Sequence, residues 1–304
     1  MAEYSIGLDL GGTNLRAAAV DRAGTILDSI AGTTDLSSGR DAVVADMASA
    51  IDRLRQAHGA EGLAGVGVGV PGFIILETGV ITASPNLPGF ENFPIRDHLE
   101  QLLGTPVILE NDANAAAVGE KWMGAGKDVN DLILLTLGTG IGGGIIAGGE
   151  VLHGFVGMAG ELGHITVVPT GNPCGCGNRG CLEKYASATA IASMGASMSL
   201  GDGLTAEDIY TMAVAGNEKA KSIFETMGQS LGTALATLIN IFNFPLYLLS
   251  GGALSAWDLF APSMFQEIQR RSFVFRNTET RIEKACLGKL SGLYGAAFLP
   301  FLRH

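Results

Sequence analysis

The apolar residues of this chain fall into short alternating runs broken by longer helical stretches. The opening runs YSIGLDL, LRAAAV and TILDSIAGTT are short and apolar or alternating, and DRAG separates the last two, which predicts strands joined by tight turns. Residues 40–58 then follow helical spacing, with Val43, Met47, Ala50, Ile51 and Leu54 on one stripe. LAGVGVGVPG reads as a buried strand running into a loop, TPVILEND as another strand, and DANAAAVGEKW as the helix that continues it. Strands alternating with helices predict an α/β fold with covered sheets.

The pattern restarts near Asp131. DLILLTLGTGIGGGIIAGGEVL predicts strand, glycine turn, strand and hairpin. Displaced by 127 positions it overlies SIGLDLGGTNLRAAAVDRAG, with Leu10-Gly11 on Leu137-Gly138. Such a weak internal repeat implies two related domains, each opening with a β-hairpin, and a cleft between two domains is a natural ligand site. LGTALATLINIFNFPLYLL is the most membrane-like stretch, but Asn240, Asn243 and Pro245 interrupt it and no basic flank orients it. It predicts a buried helix followed by a buried strand. A helix over 289–302 is apolar around most of its surface, with Leu290, Leu293, Tyr294, Ala297, Phe298 and Phe301, and is expected to pack back on the first domain. The expected division is therefore a small domain of residues 1–118 completed by 289–304, and a larger one of 119–288.

Composition narrows the function classes. The 304 residues are 47% hydrophobic and 16% charged with 44 glycines, which suits a well-cored chain with many tight turns. A net charge of −11 without a basic run argues against a nucleic-acid surface. Anions can still bind where backbone N–H groups and a metal ion supply a positive field. The opening MAEYSIGLDLGG lacks a basic segment and a long apolar one, so no secretory leader is expected, and the chain is expected in the cytoplasm, without membrane association.

Three glycine turns carry the first candidate chemistry. In DLGGTN, Gly11 and Gly12 permit close backbone approach, Thr13 and Asn14 add donors, and Asp9 is an acid at the end of a buried strand. Either this is an ordinary hairpin, or it is a phosphate cradle with a carboxylate able to hold a metal's water. GTGIGG, containing Gly138, Thr139 and Gly140, fits G-x-G-x-x-G, but its continuation is strand-like, whereas a dinucleotide site needs a helix there. A second phosphate-binding hairpin fits better. LLSGGALS places Gly251 in a third turn with a helix expected from about Ser255, suited to approach a base and ribose.

Polar residues supply the rest. In LENDANAAA, either Asn111 or Asp112 suffices to cap the helix, leaving the other to face a cleft. Asp112 at a helix N-terminus is expected to be ionised at neutral pH, and suits taking an alcohol's proton late in phosphoryl transfer. SPNLPGF is either a plain turn or a stiff loop presenting the Asn86 amide to a sugar hydroxyl. Cys174, Cys176 and Cys181 crowd into PCGCGNRGCLEKYAS, and with His164 they make a Cys₃His set, usual for structural zinc; free buried thiols are the other reading. A metal there would fix the neighbouring acids Glu161 and Glu183. Cys286 reads as a small core residue.

Together, DLGGTN, GVPG, SPNL, END, the long stretch LGTGIGGGIIAGGEVLHGFVGMAGELGH and CGCGNRGCLEKYAS resemble the ROK family of repressors, open reading frames and kinases, over nearly the whole chain. The glucokinase branch is the most similar, and the short His164-to-Cys174 separation points there rather than to N-acetylhexosamine kinases. The resemblance implies an actin-like fold, the ribonuclease H-like fold of sugar kinases, hexokinases and heat-shock ATPases, with two domains around a cleft. It implies ATP-dependent phosphorylation of glucose at the 6-hydroxyl, with Mg²⁺ bridging the phosphates and a homodimeric assembly. ATP would lie across Gly11, Gly12, Thr13, Asn14, Gly138, Thr139, Gly140 and Gly251, beside Asp9. The hexose would be held by Asn86, Asn111, Asp112, Glu161, His164 and Glu183, with Asp112 the general base and His164 both zinc ligand and sugar donor. The same chemistry on N-acetylglucosamine, N-acetylmannosamine, mannose or fructose, or a non-catalytic sugar-sensing regulator, are the alternatives. Family repressors carry a DNA-binding region ahead of the first glycine turn; only eight residues precede Asp9, so a kinase without a nucleic-acid partner is expected.

Overall fold

The alternating runs at the amino terminus form a hairpin of β1 (Tyr4–Leu10) and β2 (Asn14–Asp21), extended by β3 (Ile26–Thr33). The structure is a computed structural model and describes residues 3–303. The chain continues through α1 (Arg40–His58), β4 (Leu63–Val70), a ribbon of β5 (Phe73–Ile75) and β6 (Val80–Ala83), α2 (Ile95–Leu103), β7 (Val107–Asn111) and α3 (Asp112–Trp122). After β8 (Leu132–Leu137), β9 (Ile141–Ala147) and β10 (Glu150–Val151) come α4 (Glu183–Ala186), α5 (Ala188–Ser197), α6 (Ala206–Val214) and α7 (Glu218–Phe242). β11 (Leu246–Ser250), α8 (Trp257–Arg271), β12 (Arg281–Lys284) and α9 (Ser291–Phe298) complete it.

Two sheets repeat one plan. The first has order β3-β2-β1-β4-β7, with β2 antiparallel to β1 and with β4 and β7 parallel. The second has order β10-β9-β8-β11-β12, with β11 parallel to β8 and β12 parallel to β11. The displacement of 127 carries β1 onto 131–137 and β2 onto 141–148, against observed strands 132–137 and 141–147. The faint repeat in the sequence is thus a repeat of structure. β1 reads as a continuous apolar run because it is covered on both faces; of its two polar residues, Ser5 is satisfied by the Ala297 carbonyl, and the other is Asp9.

The chain divides into two compact units. One holds the residues up to Asn130, Gly144–Gly160 and those from Ala285 onward; the other holds Asp131–Gly143 and Glu161–Lys284. A boundary at 118 falls inside α3, which runs unbroken to Trp122. α3 stays with the first unit because small residues let it pack closely on α9: a Cβ at Gly295 would lie 1.7 Å from the Ala115 carbonyl oxygen, and one at Gly119 lies 2.0 Å from that of Ser291. The C-terminal helix is shorter than its apolar pattern predicts. α9 is flanked by 3₁₀ turns at 288–290 and 299–303, the second containing Pro300, which cannot supply the N–H that an α-helix needs. The membrane-like stretch is the end of α7, closed by Asn243 at φ 49°, and the fully buried β11. Among the described residues no helix is long and apolar enough to cross a membrane. Cys286 is exposed rather than in the core, because the segment leading into α9 runs along the surface of the first unit.

Candidate active site

The first unit gathers one set of site residues. The turn after β1 is closed by the Gly11 N–H, which donates to the Asn14 carbonyl at 2.8 Å, while the Thr34 hydroxyl donates to the Gly11 carbonyl at 2.8 Å. Thr13 and Asn14 are exposed. Asp9 sits behind the turn with Oδ2 3.8 Å from Arg16 Nη1. Burial, and then the charge of Asp112, push the Asp9 carboxyl up to about 6, with Arg16 offsetting part of the rise. The start of α9 walls this carboxylate, since a Cβ at Gly292 would lie 2.9 Å from its Oδ1. A buried acid that resists charging is a favourable neighbour for a cation.

Asn86 is the exposed tip of a loop anchored by the buried Leu87 and Phe90 and by the Ser84 hydroxyl, which donates to the Pro71 carbonyl at 2.8 Å. The tip touches the glycine turn: a Cβ at Gly12 would lie 2.8 Å from the Asn86 carbonyl oxygen. Asn111 is the cap of α3. Its side-chain oxygen accepts from the Ala113 and Asn114 N–H groups at 2.9 and 3.2 Å, and its amide donates to the Gly72 carbonyl at 3.1 Å. Asp112 is therefore the first helical residue, and its Oδ1 accepts from the Ala113 N–H at 2.9 Å. Its acidity differs from the expectation of an ordinary N-terminal acid. Burial raises the Asp112 carboxyl, outweighing the hydrogen bonds from Ala113, its own N–H and Asn111.

The second unit gathers the rest. The turn after β8 is closed by the Gly138 N–H, which donates to the Gly140 carbonyl at 3.0 Å, and Thr139 is exposed. β11 runs beside β8 with Ser250 opposite Thr136, which brings the third glycine turn against the second. Gly251, at φ 100°, must be glycine: a Cβ there would lie 2.3 Å from the Leu137 carbonyl oxygen. A 3₁₀ turn over Gly252–Ala256 follows, and α8 begins at Trp257.

His164 ends a short 3₁₀ turn, and its Nδ1 lies 3.6 Å from Cys174 Sγ. Cys176 Sγ lies 3.6 Å from Cys181 Sγ, and the four donor atoms all fall within 4.8 Å of one another. A tetrahedral shell with Zn–S of about 2.3 Å has ligand edges of roughly 3.5–3.8 Å, so these donors fit a closed zinc site. Burial, and then the neighbouring thiols, push the Cys181 thiol up to about 12, a cost that a divalent cation reverses by favouring thiolates. Asn178 braces the loop by donating to Thr166 Oγ1 at 2.8 Å and Cys181 Sγ at 3.5 Å. With Nδ1 towards sulfur, His164 Nε2 lies 4.0 Å from Glu161 Oε2. Glu183 opens α4, and its Oε2 accepts from the Ile141 N–H at 3.0 Å.

Residues 5–301 match the ROK family. The chain belongs to the ROK family. It is 39% identical to a glucokinase of Halalkalibacterium halodurans over 97% of this chain and 94% of that one. The structure of a ROK hexokinase from Thermus thermophilus superimposes with a TM-score of 0.89 at 36% identity, covering 99% of this chain and 98% of the other. A ROK glucokinase from Streptomyces griseus, solved with glucose and AMPPNP, gives 0.79 at 34% identity, covering 97% and 98%. Xylose repressors are also ROK relatives of this chain. With these neighbours the two like sheets are those of the actin-like fold.

One group in the first unit escaped the sequence reading. Glu110, buried at the end of β7, accepts from the Asn111 N–H at 2.9 Å, from Asn114 Nδ2 at 3.0 Å and from His153 Nε2 at 2.7 Å. It sits directly behind the Asn111-Asp112 corner of this ROK protein, and its hydrogen bond pushes the His153 imidazole pKa above the ordinary value. A carboxylate at the end of a buried strand is the same anomaly that marked Asp9, so Glu110 was detectable; nothing local marked His153.

Proposed function

We propose that this ROK protein is an ATP-dependent hexokinase that phosphorylates glucose at its 6-hydroxyl. The reading is carried by Asp112. It is a half-buried carboxylate whose Oδ1 is tied to the Ala113 N–H, in the unit that also holds the exposed Thr13 and Asn14 turn and the Asn86 loop packed on Gly12. The relatives that carry the name glucokinase at 34–39% identity favour glucose.

In this account the backbone N–H groups of the two glycine turns receive the phosphates of ATP, and Gly251 leaves room for the nucleoside. Mg²⁺ bound with ATP offsets phosphate charge, and Asp9 is the residue suited to hold it. Asn86, Asn111, Glu161 and Glu183 pair with sugar hydroxyls, and a site that pairs every hydroxyl rejects analogues lacking them. His164 would hold a zinc ion through Nδ1, which would leave Nε2 as an N–H donor to the sugar. The 6-oxygen forms its bond to the γ-phosphorus as the bond to the ADP oxygen breaks, and the hydroxyl proton passes to Asp112 Oδ2. Because burial raises the Asp112 carboxyl, activity falls as the solution is acidified towards that raised value. With four protein donors around it, a zinc bound there would have a closed shell and would serve to hold the loop.

ADP release measured across a hexose panel tests the reading. Glucose should give the highest kcat/KM. An N-acetylated hexosamine outperforming glucose would overturn the substrate, and glucose binding without ADP release would favour a sugar-sensing regulator, as in the xylose repressor branch.

A further inference from the structure

The segment leaving the Cys₃His loop is tied to the second glycine turn at three points, all within one unit. Glu183 Oε2 accepts from the Ile141 N–H at 3.0 Å, the Ala188 N–H donates to the Gly138 carbonyl at 2.9 Å, and the Thr189 hydroxyl donates to the Thr139 carbonyl at 2.8 Å. The fit is close: a Cβ at Gly140 would lie 2.5 Å from the same Glu183 oxygen. On the other flank a Cβ at Gly163, next to His164, would lie 2.2 Å from the Ile141 carbonyl oxygen.

These bonds decide which way the turn's amides point. The peptide bonds are trans, so each carbonyl and the N–H of the following residue point in opposite directions. Drawing the Gly138 and Thr139 carbonyls towards Ala188 and Thr189 aims the N–H groups of Thr139 and Gly140 the other way. Those two N–H groups are the turn's donors for an anion.

We propose that Glu183 and Thr189 are positioning residues for the nucleotide phosphates, so that the Cys₃His loop acts on ATP binding as well as on the sugar. This rests on the hexokinase reading, in which Glu183 also meets the sugar. Thr189 has no part in that contact, which separates the two roles.

The test is AMPPNP binding by calorimetry to the sugar-free protein, with zinc content checked for each variant. Glu183→Ala and Thr189→Val should each weaken AMPPNP about 10-fold, the size of one net hydrogen bond. Glu183→Gln and Thr189→Ser, which keep the acceptor and the donor, should stay within about 3-fold of the parent. Glucose affinity should fall in both Glu183 variants and hold in Thr189→Val. If Glu183→Ala and Thr189→Val bind AMPPNP like the parent while glucose binding falls in the former, the positioning role is wrong and the hexokinase reading stands. If the parent itself binds no AMPPNP, both fall.

Discussion

Asp9→Asn isolates what it costs to hold a carboxylate behind the first glycine turn. The Asp9 carboxyl is pushed from 3.8 to about 6, mainly by burial. At about 1.36 kcal/mol per pH unit this amounts to about 3 kcal/mol. Its side chain is 18% exposed, so solvent screening removes little of that. A raised value means that the folded protein holds the proton more tightly than the unfolded chain. The contribution to stability is therefore fully present below about pH 4 and is lost as pH rises through about 6. Asparagine has the shape without the charge. It should leave stability unchanged near pH 4 and raise it near neutral pH by up to about 3 kcal/mol, which is several degrees in Tm for a chain of this length. Phosphoryl transfer should fall at the same time, because the charge that favours a cation is gone. The assay is thermal unfolding of parent and variant without nucleotide at both pH values, read by calorimetry because two units can unfold separately. An Asp9→Asn protein no more stable than the parent near neutral pH, or equally stabilised at both, would refute the assignment of a strained acid to this position.

Two further outcomes follow from the same structure. Metal analysis should find one zinc per chain, and a chelator strong enough to remove it should lower the thermal midpoint; a stable, active protein free of zinc would contradict the Cys₃His centre. Glu120 is fully buried and accepts from the Leu287 and Ala125 N–H groups at 2.9 and 3.0 Å and from the Ser291 hydroxyl at 2.8 Å. Glu120→Gln turns a donor towards donors and should cost about 2–3 kcal/mol in denaturant unfolding; a cost below about 0.5 kcal/mol would show that this clamp contributes little.

Local signals were legible wherever the physics is local. Gly11-Gly12 and Gly138-Thr139-Gly140 announced hairpin turns, with Gly12 and Gly140 the positions where a side chain would collide with a neighbouring segment, and the strands on either side repeat at 127 positions because the two sheets share one plan. The gathering of His164, Cys174, Cys176 and Cys181 into one cluster was legible because sulfur crowded into one loop has few other uses. Properties set by the tertiary environment were not. Asp112 looks like an ordinary helix-terminal acid, and only its burial shows that its carboxyl is raised. Cys286 has the size of a core residue but lies in a surface segment. That position 118 lies inside a continuous helix was not legible, because α3 is held by α9, nearly two hundred positions away in sequence, and no residue inside α3 marks that partnership. The ties from Glu183 and Thr189 to the glycine turn likewise exist only once the chain is folded.

The most direct test of the proposed chemistry is single-turnover phosphoryl transfer from ATP to glucose by Asp112→Asn, with glucose and AMPPNP affinities measured alongside. Loss of the base should slow transfer about 100- to 10,000-fold while both ligands still bind. A variant that transfers phosphate as fast as the parent would contradict the role of Asp112 and the hexokinase reading built on it.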